Sequence, residues 1–172
     1  MSIIALDKAD EIIYSITINQ SEGDTMPEKT TSVQIVLPQH CNGYKKPRLF
    51  GGQMMAWIDI VGAVAARRYT HSAVTTVCVD NLNFLSAAYL NDTIVQEAAV
   101  TWTGRTSLEV RVDSYVERLD GSRERVNLAY AVFVALDEQD KPKPVPPFVP
   151  ETDEEKREYE AATQRRQARV GR

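Results

Sequence analysis

Residues 50–68 read FGGQMMAWIDIVGAVAARR, and this stretch decides the fold. Up to Ala66 its only ionisable residue is Asp59, and the other residues there are apolar or small except Gln53. A helix that is apolar all round is usually enclosed by other elements rather than laid on a surface. We therefore predict one long, enclosed helix, Phe50 to Arg68, around which the rest of the chain is organised.

Asp59 is the unusual residue of this helix. A carboxylate in an apolar setting is costly unless it is hydrogen-bonded or paired, and Asp59 lies too far inside the helix to cap its N-terminus. One interpretation is structural, with the side chain turned to solvent or held by an arginine or a backbone donor. The other is functional, with the carboxylate facing a cleft whose dry surroundings set its reactivity.

Two glycines, Gly51 and Gly52, open the helix. They let a substrate approach the backbone closely, where free N–H groups and the helix dipole favour developing negative charge. Those are the physical requirements of an oxyanion hole. We predict that these donors hold a carbonyl oxygen, while Asp59, two turns later on the same helix, acts on the carbonyl carbon or on a water beside it.

The remaining periodicity predicts strands. Leu108 to Val116 alternates apolar with polar residues, which indicates one buried and one wet face, as in antiparallel sheets. Between Val74 and Phe84 the apolar phase slips by one residue, which predicts a bulge near Asp80–Asn81. The predicted strands are 31–37, 74–84, 94–103, 108–116 and 126–136, the last of them central or covered on both faces. One apolar helix with a meander of strands predicts an α+β fold, an antiparallel sheet wrapped around a long central helix.

Several segments carry a family resemblance. LFGGQMMAWID followed by VGAVAARR resembles the central helix of hotdog-fold acyl-CoA thioesterases, in the branch of bacterial acyl-CoA hydrolases that is also similar to cytosolic acyl-CoA hydrolases of animals. Further matches are Asn42, the strand VTTVCVDNLNFL, the segment GRTSLEVRVDSYVE and the tail PETDEEKREYEAATQRRQAR. The resemblance runs from about Met26 to the C-terminus.

The resemblance implies hydrolysis of acyl-CoA thioesters to a free acid and coenzyme A. It implies that Asp59 is the general base or the nucleophile, and that the N–H groups of Gly51 and Gly52 polarise the thioester carbonyl. It further implies that Asn42, contributed by the neighbouring subunit, supports the reacting groups. No metal or other cofactor is implied, because coenzyme A arrives as part of the substrate. Members of the family form homodimers that often assemble further into tetramers or hexamers.

Two other functions stay open at the level of sequence. Hotdog domains also serve as acyl-CoA-binding sensor modules without turnover, although no helix-turn-helix segment is present to act as an output. A hotdog dehydratase acting on acyl thioesters is the other alternative. That chemistry requires a histidine with a carboxylate, and the central helix carries no histidine.

Three basic clusters are candidates for binding the phosphates of coenzyme A, because arginine and lysine suit phosphate. The sequence leaves open which of them does so. The candidates are Lys45 and Lys46 before the central helix, Arg67 and Arg68 at its end, and Arg165, Arg166 and Arg169 in the tail.

Composition limits the class of protein. With 43% hydrophobic and 26% charged residues the chain has the composition of an ordinary globular protein. A net charge of −4 argues against general nucleic-acid binding, and no apolar run reaches the length of a membrane span. The two cysteines, Cys41 and Cys78, lack metal-ligand spacing, so we expect a reduced, cytoplasmic protein.

Domain organisation is predicted in three parts. Residues 1–25 match neither structural period cleanly and form an extension of doubtful origin: either Met26 is the natural start, or the segment is a genuine N-terminal arm. Residues 26–150 form the hotdog thioesterase domain, and residues 151–172 form a C-terminal helix. Thr152 and Glu155 have the spacing of a capping box, and the charge order along that helix is also that of a solvated surface helix.

Overall fold

The computed structural model describes residues 29–43 and 45–170. It contains a five-stranded antiparallel sheet in the order β1-β5-β6-β7-β4, with the long helix α1 packed on one face. The predicted α+β architecture is therefore confirmed. The interpretation of residues 1–25 lies outside the described residues. Along the chain the elements are β1 Thr30–Ile35, a 3-10 turn Pro38–His40, β2 Cys41–Asn42, β3 Arg48–Leu49, α1 Gly51–Thr70, β4 Ala73–Phe84, β5 Thr93–Thr103, β6 Ser107–Glu117, β7 Arg123–Leu136 and α2 Asp153–Val170.

Helix α1 begins after Phe50 and ends where His71 adopts a left-handed conformation, with the His71 N–H donating to the Arg67 carbonyl. Gly62 allows α1 to lie close to the sheet, since a Cβ there would be 3.0 Å from Cζ of Phe133. The residues of α1 that face the sheet are buried: Met54, Trp57, Ile58, Val61, Gly62, Ala65 and Ala66.

The prediction that α1 is enclosed on all sides is only half right within one chain. On the side away from the sheet, Met55 is 46% exposed and Ile60 is 53% exposed. Exposed apolar residues also lie on β4, where Val77 is 60% exposed. The helix is apolar all round, yet the sheet of the described residues covers one side only, so apolar side chains on its other side are exposed.

Strand β4 is the edge strand beside α1, and its pairing with β7 is interrupted twice. The bulge predicted near Asp80–Asn81 is confirmed, because the register shifts between Asp80 and Asn83 and Asn81 has a φ of 46°. A second shift, between Thr76 and Cys78, was not predicted. A bulge bends a strand and re-aims its side chains, so the two shifts isolate the short segment from Cys78 to Asp80.

The polar face of β6 is covered rather than wet, which corrects the sequence-based prediction. Glu109 has no exposed surface and Asp113 is also buried, because α2 crosses this outer face of the sheet. Arg165 of α2 forms an ion pair with Glu109 at 2.8 Å, and Arg111 forms one with Glu158 of α2 at the same distance. Alternation of polar and apolar residues therefore marks two different environments here, an apolar layer under α1 and a charged layer under α2.

Helix α2 starts with the predicted capping box. The N–H of Glu155 donates to Oγ1 of Thr152, and the N–H of Thr152 donates to Oε2 of Glu155. The proline-rich segment before α2 is fixed to the sheet, as the Phe148 N–H donates to Oγ1 of Thr103 and the Phe148 ring stacks on Tyr159. The solvated surface helix that the charge order predicted therefore describes only the outward side of α2, because its inward side packs on the sheet. None of the helices in the described part of the chain is long and apolar enough to cross a membrane.

Candidate active site

The N-terminus of α1 presents two free backbone donors. The N–H groups of Gln53 and Met54 both donate to the Phe50 carbonyl, whereas within the described residues those of Gly51 and Gly52 have no acceptor. The Phe50 ring lies against Gly52 so closely that a side chain there would collide with it. This end of the helix can therefore receive a carbonyl oxygen, as the sequence predicted for Gly51 and Gly52.

Asn42 lies at the same end of α1. It belongs to the small hairpin β2–β3, in which it pairs with Arg48, and its side chain is exposed. The hairpin is joined to the helix because the Phe50 N–H donates to the His40 carbonyl at 2.8 Å. Asn42 and the two glycine donors are thus on adjoining segments, so the structure supports their grouping into one part of a site.

Asp59 lies in the middle of α1 and has a partner that the sequence did not indicate. The hydroxyl of Thr76, on β4, donates to Oδ1 of Asp59 at 2.5 Å. The carboxylate is only partly buried within the chain, so the expected dry environment is not formed by this chain alone. Neither an arginine nor a backbone donor holds Asp59 among the described residues; a threonine hydroxyl does.

The distance between the two groups along the helix limits how they can share one substrate. Asp59 follows Gly51 by eight residues, and a rise of 1.5 Å per residue separates them by about 12 Å along the helix. A thioester carbonyl held at Gly51 is therefore out of reach of Asp59 in the same chain. The two halves can act on one carbonyl only if they come from different copies of the chain.

The basic candidates differ in how far they are already engaged. Lys46 lies 3.9 Å from the centre of the Tyr89 ring, beside the Asn42 hairpin, and Lys45 is exposed. Arg67 is exposed in the last turn of α1, whereas Arg68 donates to Oγ1 of Thr30. These positions place the two lysines in the loop that precedes the N-terminus of α1 and the arginines of α1 at the opposite end of the helix.

The arginines of α2 take part in the charged layer on the outer face of the sheet. Arg165 binds Glu109 and Glu158, and Arg169 forms an ion pair with Asp80. The Arg166 guanidinium lies 5.1 Å from the centre of the Trp102 ring. Their proposed contact with coenzyme A stays a prediction, and their present partners are carboxylates and an aromatic ring.

The charged layer changes proton affinities on the side of the sheet away from Asp59. Burial, together with a 2.8 Å hydrogen bond to Glu158, raises the pKa of Tyr130 to about 12. Burial alone would lower the pKa of Arg165, but the hydrogen bond and charge of Glu109 raise it. The layer therefore favours the charged form of Arg165 and the neutral form of Tyr130.

Thr76 is the residue of the site that sequence reasoning missed. It lies in VTTVCVD, where strict alternation gives no reason to prefer it to Thr75. The unpredicted register shift directly after Thr76 changes which side chains of β4 face α1. The direction of this hydroxyl depends on the bulge, which the sequence pattern does not show.

Comparisons with known proteins agree with the resemblance. Residues 47–120 match the family model of the thioesterase superfamily. The chain is 37% identical over 145 residues to YkhA of Bacillus subtilis, described as an uncharacterized acyl-CoA thioester hydrolase, and the match covers 84% of this chain and 83% of that protein. It is 34% identical to mouse acyl-coenzyme A thioesterase 11, of which it spans only 25%.

Solved structures share the fold. A hexameric acyl-CoA thioesterase in its apo form is 40% identical, with a TM-score of 0.77 and coverage of 83% of this chain and 91% of that one. The acyl-CoA hydrolase of Staphylococcus aureus, in complex with butyryl coenzyme A, coenzyme A and its disulfide, is 34% identical with a TM-score of 0.77, covering 83% and 87%. Variants of that enzyme with an asparagine, an aspartate or a threonine replaced by alanine match equally well or nearly so.

Proposed function

This chain belongs to the acyl-CoA thioester hydrolases of the thioesterase superfamily, and from that premise we propose that it hydrolyses acyl-CoA to a free acid and coenzyme A. The observation that carries the proposal is the hydrogen bond from Thr76 to Asp59, which places an oriented carboxylate on the open side of the central helix. A carboxylate held by a hydroxyl in this way is suited to take a proton from water.

The spacing of the site residues supports this assignment. In the Staphylococcus aureus hydrolase the substituted aspartate and threonine are 17 positions apart, as Asp59 and Thr76 are. Its substituted asparagine precedes that aspartate by two positions fewer than Asn42 precedes Asp59, which fits a longer loop in this chain. We therefore assign Asn42, Asp59 and Thr76 to the same site.

The 12 Å separation leads us to propose a site between two subunits. The Gly51 and Gly52 N–H groups and Asn42 of one copy would hold the thioester carbonyl and the reacting groups, while Asp59 and Thr76 of the other would activate the attacking water. The exposed apolar side of α1 and the edge of β4, which pairs with no further strand among the described residues, supply the surface on which a second copy can pack. The hexameric assembly of a 40% identical relative supports a homo-oligomer built from such dimers.

Chemically, attack on the thioester carbonyl places negative charge on its oxygen, which the glycine N–H groups and the helix dipole stabilise. Collapse of the tetrahedral intermediate then expels the coenzyme A thiolate. Asp59 either deprotonates the attacking water or attacks the carbonyl itself, forming an anhydride. A single turnover in ¹⁸O-labelled water tests for an anhydride that water opens at the aspartyl carbonyl, because this route labels Asp59, whereas direct attack by water labels only the acid product.

Phosphate anchoring is assigned to the basic residues that remain available. Lys45 and Lys46 are exposed in the loop that precedes the glycine donors in the chain, whereas Arg165 and Arg169 already bind carboxylates. We propose that the lysine pair contributes most to anchoring coenzyme A, with Arg67 as the second candidate. No further cofactor is proposed.

The deciding experiment measures release of free thiol from a panel of acyl-CoA thioesters that includes butyryl-CoA. A hydrolase releases one thiol per acid formed, a sensor binds without releasing thiol, and a dehydratase changes the acyl chain without releasing thiol. Binding of every panel member without thiol release would reject the proposal.

A complementation experiment tests the composite site. Asn42→Ala and Asp59→Asn proteins are each expected to be nearly inactive, and co-refolding them in equal amounts gives mixed dimers with one intact site. Recovery of about a quarter of wild-type activity is expected from random pairing in an isologous dimer. Sites contained within one chain would recover nothing beyond the sum of the two parents.

A further inference from the structure

We propose that Arg169 is a positioning residue: from the outer face of the sheet, its ion pair with Asp80 fixes the bulged segment of β4 that directs Thr76 to Asp59. The inference rests on the proposed function for its kinetic readout. Its structural readout is independent of any activity.

The first step concerns how α2 is held. Arg165 donates to both carboxylate oxygens of Glu109, at 2.8 Å and 3.2 Å, and Glu109 has no exposed surface. Such a two-point pair fixes the direction of the helix as well as its distance from the sheet. Arg169 lies one turn further along α2, and its Nη1 is 3.6 Å from Oε2 of Glu109. The Arg165–Glu109 pair therefore directs Arg169 to the adjacent edge of the sheet.

The second step concerns what Arg169 reaches. Its Nη1 contacts Oδ2 of Asp80 on β4, and the other carboxylate oxygen of Asp80 accepts from Sγ of Cys78 at 3.3 Å. Both residues belong to the three-residue segment between the register shifts of β4. Because a bulge disrupts the ladder locally, pairing with β7 alone restrains this segment less than the rest of the strand, and a side-chain link restores the restraint.

The third step concerns the connection to the site. Thr76 is the last residue before the first shift, and it faces α1, while Asp80 faces α2 on the other side of the sheet. The ion pair and the Thr76–Asp59 hydrogen bond thus hold opposite faces of one short stretch of an edge strand. A displacement of this stretch moves the Thr76 hydroxyl relative to Asp59.

A positioning role differs from a purely structural one in what it changes most. The Arg169 and Asp80 side chains are only 20% and 21% exposed, so loss of either partner is expected to lower stability as well, although other contacts still hold α2 and β4. The catalytic rate is more sensitive than the stability to a local displacement, because a misplacement of about 1 Å near a reacting group lowers the rate by up to about 10²-fold. A phosphate-binding role would instead raise KM and leave kcat unchanged.

The test compares Arg169→Gln and Asp80→Asn with Arg157→Gln, a control on the exposed side of the same helix. In wild-type background we expect kcat for butyryl-CoA to fall about tenfold or more in the first two proteins, with KM changed by less than about twofold. The control should match the wild type. In a Thr76→Val background, Arg169→Gln should cause no further loss, since the hydroxyl through which it acts is gone.

A raised KM with unchanged kcat, or an equal loss in the Thr76→Val background, would overturn the proposal. Hydrogen exchange gives the second readout: amides of residues 77–80 should exchange faster in Asp80→Asn and Arg169→Gln than in the control, with the core of β7 unchanged. Identical exchange in the variants and the control would refute the coupling, even for a protein that releases no thiol. If Arg169→Gln does not fold, the nearly isosteric Asp80→Asn decides both readouts.

Discussion

Replacement of Asp59 by asparagine gives the sharpest test of the site. The substitution keeps the shape of the side chain and an oxygen that can accept from Thr76, but it removes the charge and the basicity. A general base contributes about 10²–10⁴-fold to a rate, so the barrier should rise by about 3–5.5 kcal/mol. A larger loss is expected if Asp59 is the nucleophile.

The stability cost can be worked from the same contact. A hydrogen bond to a charged group contributes about 1.5–3 kcal/mol and a neutral one about 0.5–1.5 kcal/mol, and Asp59 is only partly buried. We expect Asp59→Asn to lower the free energy of unfolding by about 1 kcal/mol, or about 2–4 °C in Tm for a chain of this size. Catalysis should therefore fall far more than stability.

The assay follows thiol release from butyryl-CoA at saturating substrate, with thermal unfolding measured on the same preparations. Asp140→Asn is the matched control: Asp140 is exposed in a turn with a φ of 57°, which asparagine tolerates, and it lies in no part of the site. A folded Asp59→Asn protein with near-normal turnover would refute the catalytic assignment. Loss of folding together with activity would instead show that Asp59 holds the structure together.

Three further predictions concern other parts of the molecule. Arg165→Met should lower the free energy of unfolding by about 3–5 kcal/mol in denaturant titrations, because it leaves the Glu109 carboxylate buried without its main partner; an unchanged midpoint would contradict this. Since the pKa of Tyr130 is about 12 when folded and 10 in the unfolded reference, stability should fall as pH rises from 10 to 12, and Tyr130→Phe should flatten that part of the curve. The double variant Lys45→Ala with Lys46→Ala should raise KM for acyl-CoA with little change in kcat, most strongly at low salt. A KM equal to that of the wild type would instead indicate that the arginines bind the phosphates.

Most of the fold was predictable because local signals agreed with tertiary packing. The long apolar helix and the capping box of α2 each depend on a few neighbouring residues. The burial of Glu109 was not predictable, since a polar alternation is the same whether water or a charged helix covers it. Sequence periodicity separates the two faces of a strand but does not show what lies on each.

The residues of the candidate site stay predictions, and the sequence left their relative geometry open. Asp59 and the glycines are distinguished by local composition, and Asn42 came from the resemblance. Thr76 was missed because its direction depends on a bulge, which strict alternation conceals. The rise of the helix separates Gly51 from Asp59 by about 12 Å, and the sequence pattern does not show which copy of the chain supplies each group to one carbonyl.

The charged layer under α2 also has a consequence for synthesis on the ribosome. Strand β6 leaves the ribosome before α2 does, so Glu109 is solvated until Arg165 has been synthesised and pairs with it. During that interval the outer face of the sheet also shows Trp102 and Val132, which the finished protein buries. A nascent chain halted in this interval presents apolar surface that chaperones and proteases recognise. Packing of α2 on the sheet therefore removes the surface by which quality control recognises an interrupted subunit.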